Sequence, residues 1–539
     1  MAGWNWADVW ETVADQRPDA TALIHGSLRV SWHDFDRGAD GVAAGLLAAG
    51  AQRQDKVAQY LYNCPEYLES LFGIVKAGLV PVNTNYRYVD DELLYLWDNA
   101  DAVAVIFHGS FTDRCERLRS QLPRVRSWVW VDDGAGSKPD WATDYAAWAD
   151  SGRARDTRVV PEHGRDGDDL YMLYTGGTTG MPKGVMWRQN DLFNVFSEST
   201  TRDPVEADLD HIRTRLESGF APLAIPACPL MHGTGAFLAF QNLFMGGGVV
   251  TLEGRSFDAV ELLTAIETNG VSSTAIVGDV FAKPIVRALA AQPNRWDLTS
   301  LKFIISSGVM WSEPVKQELL SYIPGLVLVD AFSSSEALGM GSSISGGTAV
   351  ARTAKFQLGA RAKVITEDRR FAGPGETGLV AIGGWQPLGY YKDPEKTERT
   401  FWEVEGQRFS VPGDYARIED DGSVTLLGRG SQCINTGGEK VYPEEVEEAL
   451  KTHPDVLDAV VVGIPDDRFG ERIVAVLEAS RGAEPDLASI GEHVRSKLAA
   501  YKTPKQFHVV SSLDRPANGK TDYKRWRSHA VDNEAAPTN

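Results

Sequence analysis

Cysteine is scarce in this chain of 539 residues: there are four, Cys64, Cys115, Cys228 and Cys433, too scattered for a zinc site or a disulfide scaffold. That scarcity fits a reducing cytoplasm. Positive charge is also in deficit, with 54 Lys and Arg against 74 Asp and Glu and a formal charge of −20. Such a surface opposes nucleic acid and anionic membrane as partners, so anionic ligands must be held by local basic groups. No run reaches the ~18 apolar residues of a transmembrane segment, and the opening MAGWNWADVWETVADQRPDA lacks the basic-then-apolar pattern of a signal peptide. Internal repeats and low-complexity linkers are absent too. The composition, 43% hydrophobic and 24% charged, is that of a soluble globular enzyme, and the length implies two or more domains. Glycine, at 52 residues, exceeds its average share of roughly 7% and points to working loops.

Local patterns supply an organisation. TALIHGSLRVSW places two β-rich runs around Gly26-Ser27, a hairpin signal. DKVAQYLYN reads as a strand, PEYLESLFGIVKAG as a helix opening at Pro65 and stopping at Gly78, and LVPVN as another strand. This alternation continues past residue 330 and predicts α/β layers with at least one largely parallel sheet. From about residue 374 short strands and turns predict a mainly β subdomain. PEEVEEALKTHP then reads as a helix with Pro443 in its first turn and Val446, Ala449 and Leu450 on one face, followed by strands in DAVVVGI and RIVAVLEA. The expected fold is α/β and multi-domain: a large N-terminal domain of α/β layers with the β subdomain (1–428), a hinge (429–431), a small mobile α+β C-terminal domain (432–527) and a disordered tail (528–539).

The most informative stretch is YTGGTTGMPKGVMW, residues 174–187. It follows an apolar strand, Tyr171 to Tyr174, and so sits at a strand's carboxyl end, where α/β proteins bind ligands. Gly176, Gly177 and Gly180 let backbone N–H groups approach an anion, Thr175, Thr178 and Thr179 add hydroxyl donors, and Lys183 adds charge. Together they suit a polyphosphate. The ordinary P-loop, G-x-x-x-x-G-K-[ST], is not met: Gly519-Lys520-Thr521 fails because Asp514 stands where the first glycine should be.

This stretch resembles the signature loop of the adenylate-forming superfamily of acyl-CoA synthetases, luciferases and peptide-synthetase adenylation domains, and further motifs follow in the family order across nearly the whole chain. PLMHGTG resembles the motif whose histidine, here His232, lies between acyl and nucleotide pockets. ISSGVMWS resembles the segment against the adenine, which implies that role for Ser307, Gly308 and Val309. DAFSSSE, from Asp330 through Ala331, implies Phe332 as the adenine-stacking ring, Ser335 as a hydroxyl and Glu336 as the Mg²⁺ carboxylate. VPGDYARIEDDG implies Asp414 as acceptor of both ribose hydroxyls, and LGRGS implies a ribose contact for Arg429 and the hinge for Ser431. GGEKVYPEEVE resembles the loop lining the pantetheine tunnel, with Gly437, Gly438 and Glu439, and RPANGKTDYKR carries the terminal lysine, Lys520.

The resemblance implies two half-reactions with ATP, Mg²⁺ and coenzyme A. A carboxylate attacks the α-phosphate, giving acyl-AMP and pyrophosphate, and the thiol then displaces AMP. Lys183 and the glycine loop would hold the β- and γ-phosphates, and Lys520 would bridge carboxylate and α-phosphate before the small domain turns about Ser431. Similarity is strongest to actinobacterial fatty-acid and steroid side-chain CoA ligases, which implies a hydrophobic carboxylic acid, with His232, Gly233, Val277, Gly278, Phe281, Ser306 and Ala331 as expected pocket walls. The alternatives are an amino-acid-activating or luciferase-like relative, or a catalytically silent nucleotide-binding protein; the last is opposed by the presence of Lys183, Glu336 and Lys520. Oligomeric state, a homodimer included, and the identity of the acid stay open at this point.

Overall fold

The computed structural model describes residues 3–177, 180–200, 209–309, 311–347, 349–432, 434–436, 439–466, 470–480, 482, 484–498, 500–515 and 521–533. Two large sheets organise the N-terminal region. In the first, six strands run parallel in the order Leu170–Gly177, Val80–Asn83, Lys56–Tyr60, Ala102–His108, Ser127–Val131 and Thr143–Asp144. Gly180–Arg188 and Gly389–Tyr390 add to it antiparallel. In the second, Thr21–His25, Gly248–Thr251, Leu223–Pro226, Ser273–Ile276, Phe303–Ser307 and Val327–Ser334 are parallel neighbours. That sheet continues antiparallel through Ala337–Gly346 into the β subdomain. Its first strands there, Lys355–Leu358 and Ala362–Ile365, lie before residue 374, so the β subdomain begins earlier than the run of turn residues suggests.

Between the sheets lie the helices Trp6–Gln16, Trp32–Ala48, Pro65–Lys76 and Gly233–Phe244, and the largest core cluster joins their faces to strand residues of both sheets. Aromatic packing locks this layer: Trp6 sits 5.1 Å from Tyr171 and 5.2 Å from Phe240, and Trp10 stacks on Phe244 at 5.1 Å. Helix Pro65–Lys76 opens, as its sequence predicts, with proline where the missing N–H costs nothing. Its last residue, Lys76, is fully buried and is compensated by Asp36 at 2.5 Å, Asp40 at 2.8 Å and Glu11 at 3.4 Å. Arg37 and Arg158 close the network on Asp36 at 2.6 and 3.0 Å. Burial by itself would raise the Asp36 carboxyl, but Lys76 and Arg158 carry it below its ordinary value.

The small C-terminal region pairs the antiparallel strands Val456–Asp466 and Gly470–Ala479, with helix Pro443–Lys451 burying Val446, Ala449 and Leu450. The expected tail needs correction. Helix Tyr523–Asp532 runs through residue 528 and packs Trp526, 4% exposed, and Ala530, 0% exposed, onto the sheet. Two apolar residues one helical turn apart anchor a segment that is otherwise polar. Residues 534–539 lie outside the described residues. No helix among the described residues is long and apolar enough to cross a membrane.

Candidate active site

The glycine stretch forms the end of a β-hairpin, strand to strand, where a P-loop would lead into a helix. Thr175 lies opposite Lys183 and Gly177 opposite Gly180, so Thr175 and Lys183 face the same side of the ladder. Thr178 and Thr179, between the two strands, lie outside the described residues. Lys183 is ion-paired to Asp393. Burial acts to raise Asp393, but Lys183 and the Lys396 N–H, which donates to Asp393 Oδ1 at 2.9 Å, hold its carboxyl below the ordinary value.

Glu336 lies in the tight connection between strands Val327–Ser334 and Ala337–Gly346 of the other sheet. The Tyr390 hydroxyl donates to its Oε1 at 2.6 Å, the Ser410 hydroxyl to its backbone carbonyl at 2.7 Å, and the Trp187 indole N–H to the Ser335 carbonyl at 2.9 Å. Trp187 belongs to the outgoing strand of the glycine hairpin, so these contacts tie the Glu336 turn of the second sheet to the strand that carries Lys183. Asparagines hold the far side. The Asn83 carboxamide donates to the carbonyls of Tyr174 at 2.9 Å and Met231 at 2.7 Å, while the Tyr174 N–H donates back at 2.6 Å. Asn63 donates to the Cys228 carbonyl at 3.1 Å and accepts from the Leu230 N–H at 2.7 Å. Between them they fix the turn leading to His232, which occupies the N-cap position of helix Gly233–Phe244 without a side-chain capping bond.

Other expected site residues gather at the carboxyl edge of the second sheet. Ser306 pairs with Asp330 and Ser307 with Ala331 on adjacent parallel strands, Ile276 pairs with Ser306, and Val277 and Gly278 follow directly. Gly308, at φ +97°, makes the turn to Val309 in a conformation that favours glycine. Phe332 keeps 8% exposure and lies against Phe356 at 5.5 Å. Asp414, 7% exposed, begins strand Asp414–Ile418 opposite Arg429. Asp330 is buried with Lys316 3.5 Å away, and burial pushes its carboxyl up to about 7 against the pull of that lysine.

Four expected pocket walls are buried: Val277, Gly278, Phe281 and Ser306. Ser306, with 0% exposure, accepts the Gly278 N–H on its hydroxyl at 2.9 Å, and Phe281, 2% exposed, packs on Phe257 at 4.5 Å. Gly437, Gly438 and Lys520 lie outside the described residues. Glu439 opens strand Glu439–Val441 and Ser431 lies in the turn Gly430–Gln432. The small region touches the large one where the Lys283 ammonium donates to the Leu457 carbonyl at 3.0 Å. Asn63, Asn83, Tyr390 and Asp393 are not singled out by the sequence; LVPVN, which contains Asn83, reads locally as a strand.

Comparison with known proteins places the chain in a family. A family model described as AMP-binding enzyme matches residues 10–391, and one for the AMP-binding enzyme C-terminal domain matches residues 445–520. A Mycobacterium tuberculosis medium/long-chain-fatty-acid--CoA/3-oxocholest-4-en-26-oate--CoA ligase is 39% identical over 541 residues, spanning 99% of this chain and 97% of that protein. A 3-oxocholest-4-en-26-oate--CoA ligase of Rhodococcus rhodochrous is 38% identical, over 97% of this chain and 95% of its own. Among solved structures, the anthranilate CoA ligase AuaEII in complex with anthranoyl-AMP shares the fold, with a TM-score of 0.83 at 22% identity and 99% of each chain covered.

Proposed function

The chain belongs to the AMP-binding enzyme family, and from that premise we propose that it is an ATP-dependent acyl-CoA synthetase acting on a hydrophobic carboxylic acid, of the fatty-acyl or steroid side-chain kind. The observation that carries this reading is the span of the likeness: identity of 39% to a CoA ligase runs through 99% of the chain, large and small domains alike. A carboxylate is too poor an electrophile for a thiol, so it is first made an acyl-adenylate with loss of pyrophosphate, and coenzyme A then displaces AMP. Little covalent chemistry falls to the protein; positioning and charge stabilisation carry the rate.

In this reading Lys183 and the N–H groups of the glycine hairpin grip the β- and γ-phosphates, Asp414 accepts the ribose hydroxyls and Phe332 borders the adenine. Lys520 reaches the α-phosphate in the first step and leaves before the second, when the 437–439 loop borders coenzyme A. Glu336 suits a Mg²⁺ shared with phosphates: it offers one half-buried carboxylate with Oε1 fixed by Tyr390, and the described residues contain no group of three His, Cys, Asp or Glu that would form an all-protein cage. When bound, that ion would offset phosphate charge. We also place the enzyme in the cytoplasm, since Cys64, Cys115 and Cys228 are buried free thiols.

The test is a paired assay: pyrophosphate release from ATP plus acid, and thioester formation on adding coenzyme A, across short, medium and long-chain fatty, aryl and steroid side-chain acids. Hydrophobic acids should drive both. Acid-independent ATP turnover, or adenylate formation without thioester, would overturn the reading. Lys520→Ala should cost ~10²–10³ in the first half-reaction and far less when synthetic acyl-adenylate is supplied; equal losses in both would reject its withdrawal.

A further inference from the structure

Lys183 and Asp393 are 210 residues apart in sequence, yet their contact is built on several independent supports. Gly389 and Tyr390 pair with Met186 and Val185 on the outgoing strand of the glycine hairpin, and the Tyr391 N–H donates to the Gly184 carbonyl at 2.8 Å. Asp393 is therefore carried to the root of the hairpin by the same sheet that carries Lys183. It also caps helix Pro394–Thr400, where its Oδ1 accepts the Lys396 N–H, leaving Oδ2 for the lysine. The Thr397 hydroxyl accepts the Tyr390 N–H at 2.9 Å and donates to the Asp393 carbonyl at 2.8 Å, which closes the segment on itself. One residue of this segment, Tyr390, is the donor to Glu336.

A lysine ammonium has three donors on a stem of four carbons with many rotamers. Asp393 engages one of them, and the side chain remains 32% exposed. The geometry points to Asp393 as a positioning residue: it holds the Lys183 side chain at the hairpin root before nucleotide arrives, so that the remaining donors meet the β- and γ-phosphates without a search. This rests on the ATP-binding role given to Lys183 above. The Gly389–Asp393 segment then registers the two groups that contact the polyphosphate, one on each sheet, against each other.

The variant that tests this is Asp393→Asn, because asparagine caps a helix about as well as aspartate and the fold should be kept. Affinities for AMP and for a non-hydrolysable ATP analogue are measured by calorimetry on the full-length protein, for wild type, Asp393→Asn, Lys183→Ala and the double variant. Asp393→Asn should weaken the ATP analogue about two- to tenfold, the cost of immobilising one rotamer-rich side chain on binding, with AMP affinity unchanged because AMP lacks the phosphates that Lys183 meets. The double variant should bind no more weakly than Lys183→Ala. Tighter binding of the ATP analogue by Asp393→Asn would make the aspartate a competitor of the phosphates and overturn the proposal. So would equal effects on AMP and ATP, or a further loss in the double variant. If Lys183→Ala itself leaves ATP affinity intact, it is the role of Lys183 that fails.

Discussion

Lys76 and Lys183 each meet aspartate, in two regions built for opposite ends. Lys76 ends a helix in the layer between the sheets, has no exposed surface, and is enclosed by Asp36, Asp40 and Glu11. Lys183 stands on a hairpin strand, is a third exposed, and is held by Asp393 with donors to spare. The first lysine has its charge consumed within the fold, and the second, under the proposed function, keeps part of its charge for the nucleotide. Lys316, 1% exposed beside Asp330 at 3.5 Å, is enclosed as Lys76 is, yet there burial outweighs the partner and drives the carboxyl toward its neutral form. Ion pairs of one chemical type thus separate into stabilising and ligand-directed kinds by how completely the ammonium is enclosed.

Removing Lys76 should break the comparison most visibly. Lys76→Met leaves the buried Asp36 and Asp40 to Arg37 and Arg158, and loss of one partner from a buried ion pair costs up to about 3–5 kcal/mol. Denaturant titration should show that loss, while activity per folded molecule stays near wild type; retained stability would mean the network is dispensable. Lys183→Ala should do the reverse. Its exposure limits the stability change to under about 1 kcal/mol, but loss of a charge-assisted contact to phosphate should lower kcat/KM for ATP by about 1.5–3 kcal/mol, roughly ten- to hundredfold.

The two aspartates provide a contrast in pH. Asp330 has a raised pKa, so the folded chain binds a proton that the unfolded chain releases; its contribution is full below the ordinary value of 3.8 and is lost as pH rises through about 7. Asp36 has a lowered pKa, so its contribution is present above 3.8 and is lost only in acid. Between about pH 5 and 7, wild type should therefore lose on the order of 1 kcal/mol per pH unit relative to Asp330→Asn, measured by denaturation at each pH. Parallel profiles for the two proteins would show that Lys316 keeps Asp330 charged. The smallest effect is expected of Tyr390→Phe, which keeps the ring and deletes the donor to Glu336. About 0.5–1.5 kcal/mol in kcat/KM for ATP, with an unchanged melting temperature, is the expected result, and an unaltered kcat/KM would separate Tyr390 from the site.

Much of this was legible in the chain. The hairpin at Gly26, the helix opening at Pro65 and the helix opening at Pro443 are local events, decided by a turn residue or a proline and a few apolar neighbours, and each stands where its sequence places it. The glycine-rich stretch also announces itself through composition. What holds it does not. Asn83 reaches residues 91 and 148 positions away, and Tyr390 reaches one 54 away. Such partners carry no periodicity, and each is an ordinary turn or strand residue until the sheets assemble. The terminal helix was hidden for a different reason: with Trp526 and Ala530 as its buried contacts, its polar composition outweighed its anchor.

The asparagine at the end of strand Val80–Asn83 has a further consequence. A single carboxamide takes the N–H of Tyr174, just before the glycines, and grips the carbonyl of Met231, just before His232. Under the proposed function, the spacing between the phosphate loop and the acyl side of the site would thereby be gauged by one rigid planar carboxamide, as the jaws of a calliper are set by a single screw. Acids of different length would leave that gap unchanged and differ only in the space they fill beyond it, so chain-length preference and turnover of ATP should vary independently among variants of this enzyme.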